Sequence, residues 1–227
     1  VTAYRQHGTA LSRGLSARSC MAELYGKATG CVKGKGGSMH FFSREHRYFG
    51  GNGIVGAQIP IGTGIAFAEK YKGTENICVT MFGDGAARQG ALYESFNMAM
   101  TWKLPVLYIV ENNGVYGLTK GQFSATAVKG LELKHQGQNL FTPVDICMEA
   151  LISGATFVAR SFSGDAKQLK ELIKAALSHQ GISIIDVISP CVTFNNHEDT
   201  LHSYVWGRQH ESPLHDIAFV PYKANIT

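Results

Sequence analysis

The chain has 227 residues, 44% of them hydrophobic and 17% charged, which suits one soluble domain with an ample core. A formal charge of +4, without five consecutive Lys or Arg, suits a small anionic ligand and argues against a nucleic-acid partner. No apolar run reaches membrane-spanning length, and five scattered cysteines without a C-x-x-C pattern read as the reduced thiols of a cytoplasmic protein.

The opening "VTAYRQHG" reads as the middle of a domain, so relatives are expected to carry a further N-terminal portion. Leu15, Met21, Leu24 and Tyr25 predict a short helix within 15–30, followed by a glycine-rich basic loop over 31–43. Residues 56–73, rich in small side chains, predict a buried helix interrupted near Pro60. Four short apolar runs predict strands, with cores at 76–82, 105–110, 155–160 and 182–188. Helices are expected between them at 92–102, 143–154 and 163–181. The last has the clearest amphipathic stripe, with Asp165 as candidate cap and Gly181 as candidate stop. The polar tail beyond Pro190 reads as irregular. Buried strands alternating with helices imply an α/β fold, a mainly parallel sheet with helices on both faces, as a single domain over 1–227.

In such sheets ligands sit beyond the carboxyl ends of the strands. "MFGDGAARQG" (81–90) ends one predicted strand and "NN" (112–113) ends the next. Gly83–Gly85 alone is a turn, and Asn112–Asn113 alone a loop. Paired at neighbouring strand ends, Asp84 and Asn113 offer a carboxylate and an amide oxygen. With a nearby backbone carbonyl these make the hard oxygen set that Mg²⁺ prefers. The chain after the glycines would open a helix whose free N–H groups suit a diphosphate. A carboxylate at a strand end is expected to face solvent until an ion arrives.

GDG followed by NN resembles the thiamine diphosphate and Mg²⁺ motif of thiamine-dependent enzymes. Through "AYRQHGTALSRGLS", "GKGGSMHFF", "GGNGIVGAQIPIGTGIAFAEKY" and "GDGAARQGALYESFNMAMTWKLPV", residues 3–113 resemble the first-component alpha subunit of pyruvate dehydrogenase complexes. From residue 112 onward, "NGVYGLTKGQFSATA", "TPVDICMEALISGATFVARSFSGD" and "ISPCVTFNNHEDT" resemble the beta subunit of 2-oxoacid:ferredoxin oxidoreductases. The chain thus reads as two homologous halves, 1–113 and 114–227, of one thiamine diphosphate-binding fold.

The resemblance implies Asp84, Asn113 and the Val115 carbonyl as Mg²⁺ ligands. It implies Tyr4, Arg5, Gly53, Val55, Gly83, Gly85, Ala86 and Asn113 as cofactor contacts. His7 and Lys120 are its catalytic candidates, each matching a residue near the 2-oxo acid substrate. The activity implied is oxidative decarboxylation of a pyruvate-like 2-oxo acid. The alternatives are a ferredoxin-linked beta subunit acting on a 2-oxoglutarate-like substrate, and a module that binds the cofactor without turnover. The dehydrogenase family's His-Gly-His-Ser run is absent, and His197 and His202 read as loop residues. Cys191 alone matches a ligand of the ferredoxin-linked family's iron–sulfur cluster, so no cluster is expected. In both families the glutamate that activates the aminopyrimidine comes from another subunit or domain. Glu94 and Glu111 lie on the diphosphate side. A partner subunit, and hence an oligomer, is expected.

Overall fold

The computed structural model describes residues 1–198 and 200–210. Four parallel strands form the central sheet: β1 (Cys78–Gly83), β2 (Val106–Asn112), β3 (Phe157–Phe162) and β4 (Ser183–Ile188), in the spatial order β1-β2-β4-β3. All four expected strands are present, each displaced by about two residues or less. In β2 and β4 nearly every side chain is buried, as strands covered on both faces require. Register sets Gly83 beside Glu111 and Asn112 beside Ile188, so the carboxyl ends of β1, β2 and β4 open on one side.

Seven helices accompany the sheet among the described residues: α1 (His7–Ser12), α2 (Ala17–Leu24), α3 (Gln58–Tyr71), α4 (Gly90–Thr101), α5 (Ile146–Ile152), α6 (Ala166–Ser178) and α7 (Tyr204–His210). Ile59 and Ala66 of α3, Leu92 and Phe96 of α4, and Ile146 of α5 pack with Phe82, Tyr108 and Ile184 on one face. Leu172 and Ala176 of α6 pack with Leu107, Ile109, Ile185 and Val187 on the other. The small residues of α3 let it approach β1 closely: a Cβ at Gly62 would collide with the Thr80 side chain. The Thr63 and Tyr108 hydroxyls, 2.6 Å apart, join α3 to β2 inside this core. No described helix is long and apolar enough to cross a membrane.

Three local expectations need correction. α3 runs unbroken through Pro60, because proline stands in its first turn, where the N–H would have no helical partner. α6 is capped by Asp165 as expected, its carboxylate accepting from the Gln168 N–H at 3.0 Å, but the helix stops at Ser178. Gly181 lies three residues beyond, where a Cβ would collide with Thr156. The tail is not wholly irregular. A bridge joins Cys191 to Asn195, and α7 packs Tyr204 against Phe162. Asp199 and residues 211–227 of that tail lie outside the described residues.

Candidate functional site

A cleft of about 750 Å³ lies beyond the carboxyl ends of β1, β2 and β4. Asp84, Asn113 and Val115 line it together, with Gly83, Gly85, Ala86, Tyr4, Arg5 and Val55. Nine of the expected site residues thus meet in one place although they span residues 4 to 115. Asp84 follows the last residue of β1, and a short 3₁₀ turn (Ala86–Arg88) separates it from α4. The backbone expected to face a diphosphate is therefore this turn, and α4 begins only at Gly90. Gly85 must be glycine because the Tyr116 ring covers it, leaving no room for a Cβ.

Three expected residues lie elsewhere. His7 is exposed on α1, its ring stacked on Phe41 at 5.1 Å and its Nε2 3.1 Å from the Ser38 carbonyl. Gly53 faces the His40 ring, and Lys120 is exposed in a turn with φ +74°. None of the three lines the cleft.

Asp84 does not wait in solvent. It is 3% exposed, and its Oδ2 accepts from the hydroxyls of Ser124 and Thr126. Burial pushes its carboxyl above the ordinary range, against these hydroxyls and the Asn113 N–H, which favour the charged form. Strand ends are commonly solvated, but here the hairpin of Val115–Tyr116 and Gln122–Phe123 carries Ser124 and Thr126 back over the carboxylate. Asn113 is fixed from two sides. Its Oδ1 accepts from the Val115 N–H at 3.0 Å, and its carbonyl accepts from Asn195 Nδ2 at 2.9 Å. Arg5 stacks its guanidinium 5.9 Å from the Tyr4 ring and favours the charged form of Glu111, whose carboxyl is raised chiefly by burial.

The contacts around Asn112, and the roles of Thr126, Asp186, Arg160 and Gln58, were not marked in local sequence. Thr126 Oγ1 also reaches Asn112 Oδ1 at 2.8 Å, and Asn112 Nδ2 donates to Asp186 at 3.4 Å. Asp186 pairs with Arg160 at 2.9 Å, completing a polar line into the sheet. Gln58 is fully buried on the cleft wall, and neither atom of its amide has a partner. His202 lies in a turn before α7, as a loop residue should, and is buried there. It backs Gly114, and burial together with Arg160 holds its pKa down to about 4.

These residues fit a hard cation and an anionic cofactor. Among the described residues no group of three or more His, Cys, Asp or Glu could hold a metal ion. Asp84, Asn113 and the Val115 carbonyl, residues that line one cleft, would instead offer an all-oxygen set, which suits Mg²⁺ completed by water and phosphate oxygens. The orphaned Gln58 amide and the Arg5 guanidinium supply donors for a polar ligand.

The chain is 62% identical over 113 residues to the pyruvate dehydrogenase E1 component subunit alpha of Rhizobium meliloti, a match covering 50% of this chain and 32% of that one. The subunit of the same name from Zymomonas mobilis is 48% identical over 160 residues, 70% of this chain and 45% of that one. The chain thus spans less than half the length of these relatives. Among solved structures, 2-oxoglutarate:ferredoxin oxidoreductase from Magnetococcus marinus matches with a TM-score of 0.56 and 25% identity, over 73% of this chain and 55% of that one. Both resemblances seen in the sequence therefore have counterparts, one in sequence and one in fold. The model of the dehydrogenase E1 component family matches residues 1–142, and with the parallel sheet and strand-end cleft described above the chain belongs to that family.

Proposed function

We propose that this chain binds thiamine diphosphate and Mg²⁺ as the alpha-like half of a site for oxidative decarboxylation of a pyruvate-like 2-oxo acid. The observation that carries the reading is the convergence of Asp84, Asn113 and Val115 on one cleft with Gly85, Ala86 and Arg5. Asp84 Oδ1, Asn113 Oδ1 and the Val115 carbonyl would hold the ion. The 3₁₀ turn and Arg5 would face the diphosphate, where a guanidinium pairs phosphate oxygens well. Tyr4 and Val55 would flank the organic part of the cofactor. When bound, thiamine diphosphate supplies the carbanion-stabilising ring that decarboxylation of a 2-oxo acid needs. The glutamate that activates the cofactor would come from a partner subunit, in an oligomer. Residues 1–113 and 114–227 would act as two halves of one cofactor domain.

A ferredoxin-linked beta subunit is the second reading, favoured by the fold likeness and by Cys191 on the cleft wall. Against it, Cys78 is buried in β1 and Cys147 lies on α5, so these thiols do not join Cys191 at the cleft. Calorimetric titration with thiamine diphosphate tests the main reading. Binding that requires Mg²⁺ and vanishes with a chelator is the expected outcome. No binding, or binding indifferent to Mg²⁺, would remove it.

A further inference from the structure

One oxygen of the Asp84 carboxylate is caged by two hydroxyls. Its Oδ2 accepts from both the Ser124 and Thr126 hydroxyls, and both of those side chains are buried. The two hydroxyl oxygens lie 2.9 Å apart, and the single Thr126 proton is shared between Asp84 Oδ2 and Asn112 Oδ1, each 2.8 Å away. The Ser124 N–H donates to the Gly114 carbonyl at 3.0 Å, which pins the segment to the loop bearing Asn113. Neither hydroxyl can swing away without breaking this set. A carboxylate oxygen that takes two hydroxyl donors has its lone-pair directions engaged. Oδ1 takes neither hydroxyl and is the oxygen available to an ion.

We propose that Ser124 and Thr126 make Asp84 a one-oxygen ligand and so set the preference of this site for Mg²⁺ over Ca²⁺. The proposal rests on the reading of Asp84 as a metal ligand. Mg²⁺ demands an octahedron of single oxygens at short range, whereas Ca²⁺ takes more ligands and readily uses both oxygens of a carboxylate. With Oδ2 withheld, the larger ion loses a donor it would use and the smaller ion loses none. Ser124 and Thr126 are positioning residues, acting through Asp84 and touching no cofactor atom themselves.

The test is a titration of the full chain with thiamine diphosphate in Mg²⁺ alone and in Ca²⁺ alone, for the parent, Ser124→Ala, Thr126→Val and Thr126→Ser. Near-ultraviolet circular dichroism establishes that each variant is folded. Removing a group that orients a ligand costs about 10-fold or more in metal affinity. The expected result is a Mg²⁺ affinity lower by about 10-fold in Ser124→Ala and Thr126→Val, with Ca²⁺ affinity unchanged or higher, so that the preference narrows by that factor. Thr126→Ser, which keeps the hydroxyl, should retain the parental preference. If Thr126→Val does not fold, Ser124→Ala decides alone, since it removes one hydroxyl and leaves the Thr126–Asn112 contact. Equal losses for both ions, or an unchanged ratio in folded variants, would overturn the proposal while leaving Asp84 a ligand. A parent that binds no cofactor with either ion would overturn the reading beneath it as well.

Discussion

In the proposed site, Asp84 would set cofactor binding against the stability of the ligand-free chain. Its folded carboxyl is raised by burial, so folding favours the protonated form. The stabilisation this gives is complete below the unfolded value, about 4 for an aspartate, and is lost as pH rises through the folded value. At neutral pH the charge is therefore a cost to the fold. Asp84→Asn should raise the melting temperature of the ligand-free chain at pH 7 and abolish Mg²⁺-dependent cofactor binding. A lower melting temperature would mean that the Ser124 and Thr126 hydroxyls outweigh burial. Gln58 makes the same opposition without charge. Both amide atoms are buried without partners, and each such group costs about 1–3 kcal/mol. Gln58→Leu should stabilise the ligand-free chain by about 1–3 kcal/mol in urea denaturation and weaken thiamine diphosphate binding. An unstabilised variant with parental affinity would show that the amide matters to neither. Asp84, Asn113 and Val115 were legible because two strand-end motifs and a family pattern mark them. Ser124 and Thr126 were not, because their meaning lies in contacts with a residue 40 and 42 positions away.

The same contrast appears among the elements. The four strands were legible because each is a short continuous apolar run, the pattern that burial on both faces imposes. α7 and the two-residue ladders were not, since they are too short for periodicity and exist through tertiary packing. The glycine-rich loop after α2 is the clearest case. Its order comes from one buried side chain: the Glu23 carboxylate accepts the N–H groups of Val32 and Gly34 on Oε2 (both 2.8 Å) and of Gly36 and Gly37 on Oε1 (2.6 and 3.3 Å). Burial acts to raise its carboxyl, but these four donors together hold it below the ordinary range. Its contribution is therefore present above the unfolded glutamate value, about 4.3, and is lost as pH falls through the lower folded value. Glu23→Gln would keep the shape but offer one acceptor oxygen, leaving two N–H groups unpaired at about 1–3 kcal/mol each. Proteolysis within 31–43 should accelerate in this variant at pH 7, and in the parent only as the pH falls through the lowered folded value of Glu23. Equal cleavage of parent and variant at pH 7 would refute this role for Glu23.

At the scale of the whole molecule, the cleft would, on the proposed function, hold a cofactor but offers little to activate it. Of the described residues that line it, only Asp84 and Glu111 are carboxylates. Asp84 Oδ2 is held by its hydroxyl cage, and Glu111 pairs in register with Gly83 at the end of β1, where the diphosphate is proposed to lie. The cleft is also open: Leu118 and Val192 on its wall are 76% and 73% exposed, an apolar rim without cover in the isolated chain. A water-filled cleft weakens the electrostatic help that a charged transition state needs. The chain alone should therefore bind thiamine diphosphate and Mg²⁺ yet release no carbon dioxide from pyruvate above the rate of free cofactor. Adding the beta subunit of a pyruvate dehydrogenase first component, with an artificial electron acceptor, should bring turnover. Glu111→Gln should leave that turnover within about 10-fold, less than the 10²–10⁴-fold a proton-transferring group supplies. Turnover by the isolated chain that Glu111→Gln abolishes would give this cleft its own activating carboxylate, and the half-site reading would fall.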